Sequence, residues 1–487
     1  MLFVVRFFPE ITIKSRSVRK RFIRVLRRSI KTQLSLLDPQ VSVVGEWDNL
    51  AIETLSEDAE LLESMMSQLR CTPGIASVMQ VSKCELPDME GILAKTAQYY
   101  EPLLKDKTFV VRCKRAGKHD FTSMDVERYL GAALLRSSGA KGVRMKDPDV
   151  TVRVEIINQQ LLIVERFEKG LGGYPLGTQD GVLSLISGGF DSCVSSFMCI
   201  RRGLLTHYCF FNLGGKEHEL AVKEVALYLW MKYGASHRVK FVSVPFEGVV
   251  EEILKNVSQS QMGVILKRMM MRAADKVAQD LKLEVLVTGE SVAQVASQTL
   301  ANLAIIDRVT DKLILRPLIT TDKQEIIDLA KEIGTEEFSK NIPEYCGVIS
   351  NKPTTRARTH RIEQEEENFN FGVLDQAVAD REIQMIDKVV EGIGNQAVEV
   401  ETVDTPPAGS TVIDIRHPDE EEMHPLHLPD NSAVDLIKMP FYELRSRSGE
   451  LKTQSKYYLY CDKGIMSRLH ASHLKDAGFT NIGVFRP

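Results

Sequence analysis

One short segment constrains this chain more than any other. The apolar run Val182-Leu183-Ser184-Leu185-Ile186 leads into Ser187-Gly188-Gly189-Phe190-Asp191-Ser192, and a helical pattern, Cys193–Arg202, follows at once. A strand that turns into a helix through two glycines brings bare backbone amides close to an anion. The flanking hydroxyls donate as well, and the helix N-terminus adds its dipole. The spelling is neither a Walker A loop nor G-x-G-x-x-G. Taken alone, such a turn also serves as a plain tight connection, and Asp191 as a helix-start acid answering the dipole.

The alternation goes on well beyond that turn. Strands are expected at Val182–Ile186, Leu205–Asn212, Arg238–Pro245, Val285–Thr288 and Leu313–Arg316. Helices are expected between and after them at Cys193–Arg202, Glu217–Tyr233, Gly248–Leu254, Val264–Leu281 and Lys323–Ile333. This order predicts a doubly wound parallel sheet. Ligands of such sheets sit at strand carboxyl ends, where Thr288-Gly289-Glu290-Ser291 falls, with Gln294 and Gln298 just beyond. Singly, Lys267 reads as a solvated helix lysine and Gln298 as a capping amide.

A chain of 487 residues has room for about three domains at roughly 150 residues each. Its net charge of −4 hides an uneven distribution. Residues 1–31 carry ten Lys or Arg against Glu10 alone, whereas residues 362–401 carry eleven acids against Arg381 and Lys388. The basic head contains an expected helix, Ser15–Leu37, between short strands, with a further helix at Glu57–Gln68 and a strand at Ile75–Val81. That pattern is ferredoxin-like. A second basic α/β unit, about Gly91 to Gly170, is expected to hold strands at Thr108–Lys114, Asp149–Ile157 and Gln160–Phe167 and a helix at Ser123–Ser138. The acidic stretch is expected to contain a helix at Leu374–Val390. Basic faces of this kind are most simply solvated, and beside a nucleotide site they also suit a phosphate backbone.

No apolar run is long enough to span a membrane, and Met1–Phe8 lacks the pattern of a signal peptide. The eight cysteines form no C-x-x-C pair or zinc spacing, so a reduced, cytoplasmic protein is expected. Cys461 stands out among them. It ends the apolar strand Tyr457–Tyr460 and precedes Asp462-Lys463-Gly464-Ile465-Met466-Ser467 and a helical run. Amides and a helix dipole around a sulfur favour thiolate or persulfide, while the bland reading is a buried inert thiol. Cys346, in Pro343-Glu344-Tyr345-Cys346-Gly347, reads as an ordinary loop cysteine or as a resolving thiol, and spacing does not decide.

S-G-G-x-D-S resembles the PP-loop of ATP pyrophosphatases, a likeness that extends from Gly181 to about Gln364. It implies that Leu185 and Ile186 meet the adenine side of ATP and that Ser187, Gly188, Gly189, Asp191 and Ser192 meet its phosphates. It further makes Lys267, Gly289 and Gln298 nucleotide contacts, with Asp191 against Mg²⁺. The segment from about Thr405 to Pro487 looks like a rhodanese domain, with Cys461 in its active loop and Asp414 and Arg416 at an earlier strand end. It departs from that pattern at Met466, where such loops usually carry arginine, so a protein-bound persulfide rather than thiosulfate is the implied donor.

The order of parts is similar to that of the bacterial tRNA 4-thiouridine synthetases. The resemblance implies a ferredoxin-like domain over 1–60, a THUMP RNA-binding domain over 61–170, a PP-loop domain over 171–395 and a rhodanese-like domain over 405–487. It implies ATP-dependent thiolation of uridine 8 of tRNA through an adenylated uridine, with sulfur carried as a persulfide on Cys461 and resolved by Cys346. No tightly bound cofactor is implied. Arg19, Arg24, Arg27, Arg28, Arg112 and Lys114 are the expected RNA contacts. The implied partners are tRNA, a cysteine desulfurase, a thiol reductant such as thioredoxin, and a sulfur-carrier protein of thiamine thiazole synthesis. Two other readings stay open on the residues alone: a PP-loop amide-forming ligase, and a non-catalytic RNA-binding protein.

Overall fold

The computed structural model describes residues 1–45, 49–213, 215–342, 353–389, 400–416, 418–428, 433–444, 447–452, 455–461, 464–476 and 478–487. Over these residues the chain forms two compact units. One is Met1–Thr178 with Arg201–Gly203, and the other is Gln179–Ile200 with Leu204–Pro487.

The strands of the first unit are β1 (Leu2–Phe7), β2 (Ser42–Gly45), β3 (Asn49–Glu53), β4 (Ile75–Glu85), β5 (Thr108–Ala116), β6 (Gly142–Val143), β7 (Val150–Ile157) and β8 (Gln160–Lys169). They join in one sheet, in the order β2-β3-β1-β4-β8-β7-β5-β6. Helix Arg16–Leu34 repeats apolar residues every fourth position, so Phe22, Leu26, Ile30 and Leu34 face inward together. They pack with Phe3, Val5, Leu50 and Ile52 in a single core. Residue 60 falls inside the next helix, Ala59–Arg70, and β4 after it pairs with β1 from Leu2↔Val81 to Phe7↔Ile75. The ferredoxin-like unit thus runs on past 60 to β4, because that helix and strand complete the same core. β4 also pairs antiparallel with β8, joining the ferredoxin-like half and the second α/β half into one sheet. In that second half, helix Ser123–Ser137 begins on a reciprocal capping box between Thr122 and Asp125.

The second unit contains two further sheets. The first is built from β9 (Gly181–Leu185), β10 (Leu205–Asn212), β11 (Lys240–Pro245), β12 (Val285–Val287), β13 (Leu313–Leu315) and β14 (Glu382–Met385), in the order β13-β12-β9-β10-β11-β14. All pairs are parallel except β11 with β14. The chain steps outward from β9 through β10 to β11, then returns to lay β12 and β13 on the other side of β9. The order therefore reverses between β9 and β12, leaving a crevice at their carboxyl ends. Helix Met262–Asp280 covers the sheet with Ile265, Met269, Ala273 and Val277, in one core with Val242, Val244 and Leu286.

The single helix expected over Leu374–Val390 is broken. Helix Phe371–Ala379 ends at Asp380, and Glu382–Met385 becomes β14, paired with β11 from Lys240↔Met385 to Ser243↔Glu382. The exposed edge of β11 supplies backbone partners there, and that tertiary pairing overrides the local helical pattern.

The last sheet is built from β15 (Thr402–Val403), β16 (Thr411–Asp414), β17 (Asp435–Lys438), β18 (Tyr457–Tyr460) and β19 (Ile482–Phe485). Its order is β15-β19-β18-β16-β17, with every pair parallel. It also reverses direction, between β16 and β18.

The pairing of β10 with β11 sets a pH dependence. Half-buried His207 accepts a hydrogen bond on Nδ1 from the Lys240 backbone N–H at 3.0 Å. Burial, helped by the Lys240 charge, lowers its pKa from the usual 6.5 to about 4. Between those values the unfolded chain binds a proton that the folded chain refuses, so stability is lost as pH falls from about 6.5 toward 4. Denaturation curves across that window should show this loss, and His207→Gln should flatten it.

Candidate functional site

The loop Ser187–Ser192 leaves the carboxyl end of β9 at the crevice. Ser192 ties it together: the Ser187 N–H donates to Ser192 Oγ at 3.1 Å, and Ser192 Oγ donates to the Gly189 carbonyl at 3.0 Å. Gly188 takes a left-handed φ of +81°, which a side chain would strain. The Ser339 hydroxyl donates to its carbonyl at 2.9 Å. A Cβ at Gly189 would meet nothing nearer than Ser187 Oγ at 3.7 Å, so this face of the loop is open. Helix Phe190–Arg201 starts immediately, with Asp191 in its first turn. Leu185 is half-buried and Ile186 fully buried, the Ile186 N–H donating to the Cys209 carbonyl at 2.9 Å.

Across the reversal, the end of β12 presses on this loop. A Cβ on Gly289 would lie 2.6 Å from the backbone carbonyl of Asp191 and 2.8 Å from the Ser192 nitrogen. Further along, Gln298 is buried, and its side-chain oxygen has no hydrogen-bond partner among the described residues. An orphaned acceptor beside an open glycine loop fits a ligand that brings both an amino group and phosphates.

Two sets of charges flank the loop. Asp191 accepts from Lys323 Nζ at 2.7 Å on one oxygen and from Gln294 Nε2 at 2.9 Å on the other. On the β12 side, Glu290 accepts from Arg316 Nε at 2.8 Å and from Thr288 Oγ1 at 2.9 Å, with Lys267 Nζ 3.9 Å away. Lys323 was missed in the sequence, where it is one lysine opening a helix 132 positions after Asp191. Also missed was His218, which packs edge-on against Phe210 at 4.9 Å. Burial holds its pKa below the usual range despite an opposing backbone contact with Ser187. The imidazole is therefore neutral at physiological pH. Among the described residues no group of three metal-ligating side chains occurs. Mg²⁺ is commonly held by one or two carboxylates plus phosphate oxygens, and Asp191 fits as the single protein carboxylate of such an arrangement.

Cys461 ends β18 at the second reversal and is 7% exposed. The Ser467 N–H, in the first turn of helix Ile465–Asp476, donates to its sulfur at 3.3 Å, and the thiol lies 3.4 Å from Ser467 Oγ. Gly464 turns the loop at a φ of +66°. Beside it, at the end of β16, the Arg416 guanidinium clasps the Asp414 carboxylate, both nearly sealed from solvent, and lies over the Tyr460 ring at 4.8 Å. Elsewhere burial pushes the thiols of Cys193, Cys199 and Cys209 up to about 12, which leaves them inert at neutral pH. Cys346, Asp462 and Lys463 lie outside the described residues.

In the first unit, Arg24, Arg27 and Arg28 are exposed on helix Arg16–Leu34. Arg19, expected to act with them, is placed differently. It is 7% exposed, and its guanidinium donates to the Thr12 carbonyl at 3.0 Å. Its charge serves the fold because its position on the helix turns it inward. Arg112 and Lys114 line a cavity of about 250 Å³ together with Arg6 and Arg153, two cations to which sequence assigned no role. Arg6 pairs there with Glu155, and Arg153 lies over the Phe167 ring at 4.4 Å. No helix among the described residues is long and apolar enough to cross a membrane.

Three family models match parts of this architecture: a ThiI ferredoxin-like domain over residues 2–79, a THUMP domain over 87–164, and the thiamine biosynthesis protein ThiI over 177–371. Over the whole length of both chains, the sequence is 54% identical to a tRNA sulfurtransferase of Azotobacter vinelandii and 52% identical to one of Pseudomonas syringae pv. tomato. The chain belongs to the tRNA sulfurtransferase family. Among solved structures, a 4-thiouridine synthetase in complex with RNA and ATP matches 79% of this chain and 99% of its own, at 27% identity and a TM-score of 0.67. Membership of this enzyme family removes the ligase and non-catalytic readings. It also fits the open glycine loop of the ThiI region.

The close approach of Gly289 to the loop is directly testable. Gly289→Ala forces a methyl group against the Asp191 backbone, which has no flexible end to give way. Calorimetric titration should show ATP affinity lowered by about tenfold or more, an order expected when a preorganised site is displaced by an ångström or so.

Proposed function

We propose that this chain uses ATP to replace the 4-oxygen of uridine 8 in tRNA with sulfur, through a uridine adenylate and a persulfide on Cys461. The observation that carries the reading is the open glycine loop at the β9–β12 reversal, with the unpartnered Gln298 oxygen buried beyond it. That arrangement supports a nucleotide whose phosphates meet Ser187–Ser192 and whose base end meets Gln298, with Leu185 and Ile186 alongside. Lys267 and Lys323 add positive charge where pyrophosphate departs. Asp191, on exchanging its contact with Lys323 or Gln294, would hold Mg²⁺, which would supply further charge neutralisation for the phosphates.

In the adenylation step, the uridine O4 attacks the α-phosphorus and pyrophosphate leaves. The terminal sulfur of the Cys461 persulfide then attacks C4 and AMP leaves, giving a disulfide between Cys461 and the base sulfur. The Cys346 thiolate attacks the Cys461 sulfur, freeing 4-thiouridine and forming a Cys346–Cys461 disulfide. A dithiol reductant such as thioredoxin returns two electrons and two protons to reopen it. A cysteine desulfurase recharges Cys461. The Ser467 N–H beside the sulfur supports this role, since an amide at a helix start stabilises an anionic sulfur.

The basic surface of the first unit supports tRNA binding by phosphate contacts, through Arg24, Arg27, Arg28, Arg112 and Lys114 with Arg6 and Arg153. A ferredoxin-like domain running to β4, then THUMP, PP-loop and rhodanese-like domains, with the last beginning near 405, is the domain reading that goes with this. So is a cytoplasmic setting. Delivery of the same Cys461 sulfur to the carrier protein of thiazole synthesis is the second use of the persulfide in this reading.

Thionucleoside analysis of tRNA after reaction with ATP, desulfurase and this protein should reveal 4-thiouridine. Cys461→Ala should abolish it while ATP and tRNA binding persist. Asp191→Ala should stop adenylation, although mass spectrometry should still find one added sulfur on Cys461. Cys346→Ala should load sulfur normally and fail to turn over. Normal thiolation by Cys461→Ala would remove the carrier role outright.

A further inference from the structure

Glu290 has no part in the reaction just described, yet it is a carboxylate 5% exposed at the edge of the nucleotide crevice. A buried charge is expensive unless paired and hydrogen-bonded, so its surroundings show what it is for. One of its oxygens accepts from Thr288 Oγ1 at 2.9 Å and from Arg316 Nε at 2.8 Å. Arg316 is itself held from behind, its two terminal nitrogens donating to the Asp307 carboxylate at 3.0 and 2.5 Å. Arg316 therefore has little room to move, and neither has the carboxylate it grips.

The other oxygen faces Lys267, whose ammonium is 3.9 Å away on a side chain about a quarter exposed. The preceding residue, Gly289, packs against the backbone of Asp191 and Ser192, so Glu290 follows directly on the residue that meets the phosphate loop. Burial pushes the Glu290 carboxyl upward, but Lys267 and Arg316 outweigh it and hold its pKa below the usual carboxylate range. It is thus ionised at neutral pH despite its burial. Arg316 shares its one positive charge between Asp307 and Glu290, so the Lys267 ammonium completes the charge balance of the two carboxylates.

We infer that Glu290 is a positioning residue for nucleotide binding, a fixed buried anion that aims the Lys267 ammonium at the phosphates of ATP. The inference rests on the nucleotide reading of the crevice given above. Its ligand class is a nucleoside triphosphate, and Glu290 does not itself touch it. Loss of the charge should leave Lys267 in place along the chain but poorly aimed, so the effect should appear in ATP binding more than in turnover of bound ATP.

A double-mutant cycle tests this, with ATP affinity by calorimetry and tRNA-dependent ATP–pyrophosphate exchange as readouts. Glu290→Gln should raise KM for ATP about tenfold, with kcat reduced much less. Lys267→Met should produce a similar or larger loss, and adding Glu290→Gln to it should cost nothing more. Glu290→Asp keeps the charge and should recover most of the affinity. Effects that multiply in the double variant, or equal losses in the Asp and Gln variants, would overturn the inference in favour of a packing role. Unchanged ATP affinity in Lys267→Met would sink it differently, by removing Lys267 from the nucleotide, whereas unchanged affinity in Gly289→Ala would count against the crevice itself.

Discussion

The structure around the proposed nucleotide crevice depends on one close backbone contact, between Gly289 just after β12 and the Asp191–Ser192 peptide in the first turn of the helix that follows β9. Neighbouring strand ends of a parallel sheet normally lie a strand spacing apart. Here the chain order reverses between the two, so no crossover helix fills the gap, and the loops after each strand can meet. Glycine makes the meeting possible, since any side chain on Gly289 would occupy the space of the peptide opposite. Everything that follows β12, including Glu290, Gln294 and Gln298, inherits its place from that contact.

Electrostatics then explains why the loop can stay open before a ligand arrives. Asp191 is capped by Lys323 and Gln294, and Glu290 is gripped by Arg316, so both carboxylates at the crevice are neutralised within the protein. In the proposed reading, a polyphosphate entering the crevice would meet positive charge already fixed by these ion pairs, with little reorganisation left to perform, which is the form of electrostatic stabilisation that acts most strongly on developing charge. The Asp414–Arg416 clasp differs in kind. Its partners are two residues apart, both are sealed from solvent, and their charge is spent on shaping the strand end beside Cys461.

What could be read from sequence was what is local. The strand, glycine turn and helix of Ser187–Ser192 lie within about twenty residues, and so do the strand, Cys461 and helix of the other loop. Their geometry follows from nearest-neighbour chemistry. Lys323 and Arg316 escaped because their partners stand 132 and 26 positions away, and nothing in a helix-start lysine or a strand-end arginine announces a distant carboxylate. The inward placement of Arg19 was illegible for a related reason. The helical period separates an apolar stripe from a charged face, but a cation on the border between them can turn either way, and Arg19 turned toward Thr12. Glu382–Met385 was misread as helix because the edge of β11, some 140 residues earlier in the chain, supplied the pairing that made it a strand.

The second reversal, between β16 and β18, gives Cys461 the same kind of address as the phosphate loop, and the comparison shows what the address supplies. Both sites sit where a parallel sheet ends, a helix begins, and no crossover covers the strand tips. At β9 the first turn of the helix and two glycines leave amides and space for a large anion. At β18 Cys461 is buried, and the Ser467 N–H already points at the sulfur. The first arrangement suits a ligand that comes and goes with four negative charges. The second suits one small anion that stays attached. Cys193, Cys199 and Cys209 lie in apolar surroundings that push their thiols up to about 12, and they have no comparable role. In the proposed reading, Cys461 serves because it stands at a strand end under a helix, whereas burial alone leaves the other three thiols inert.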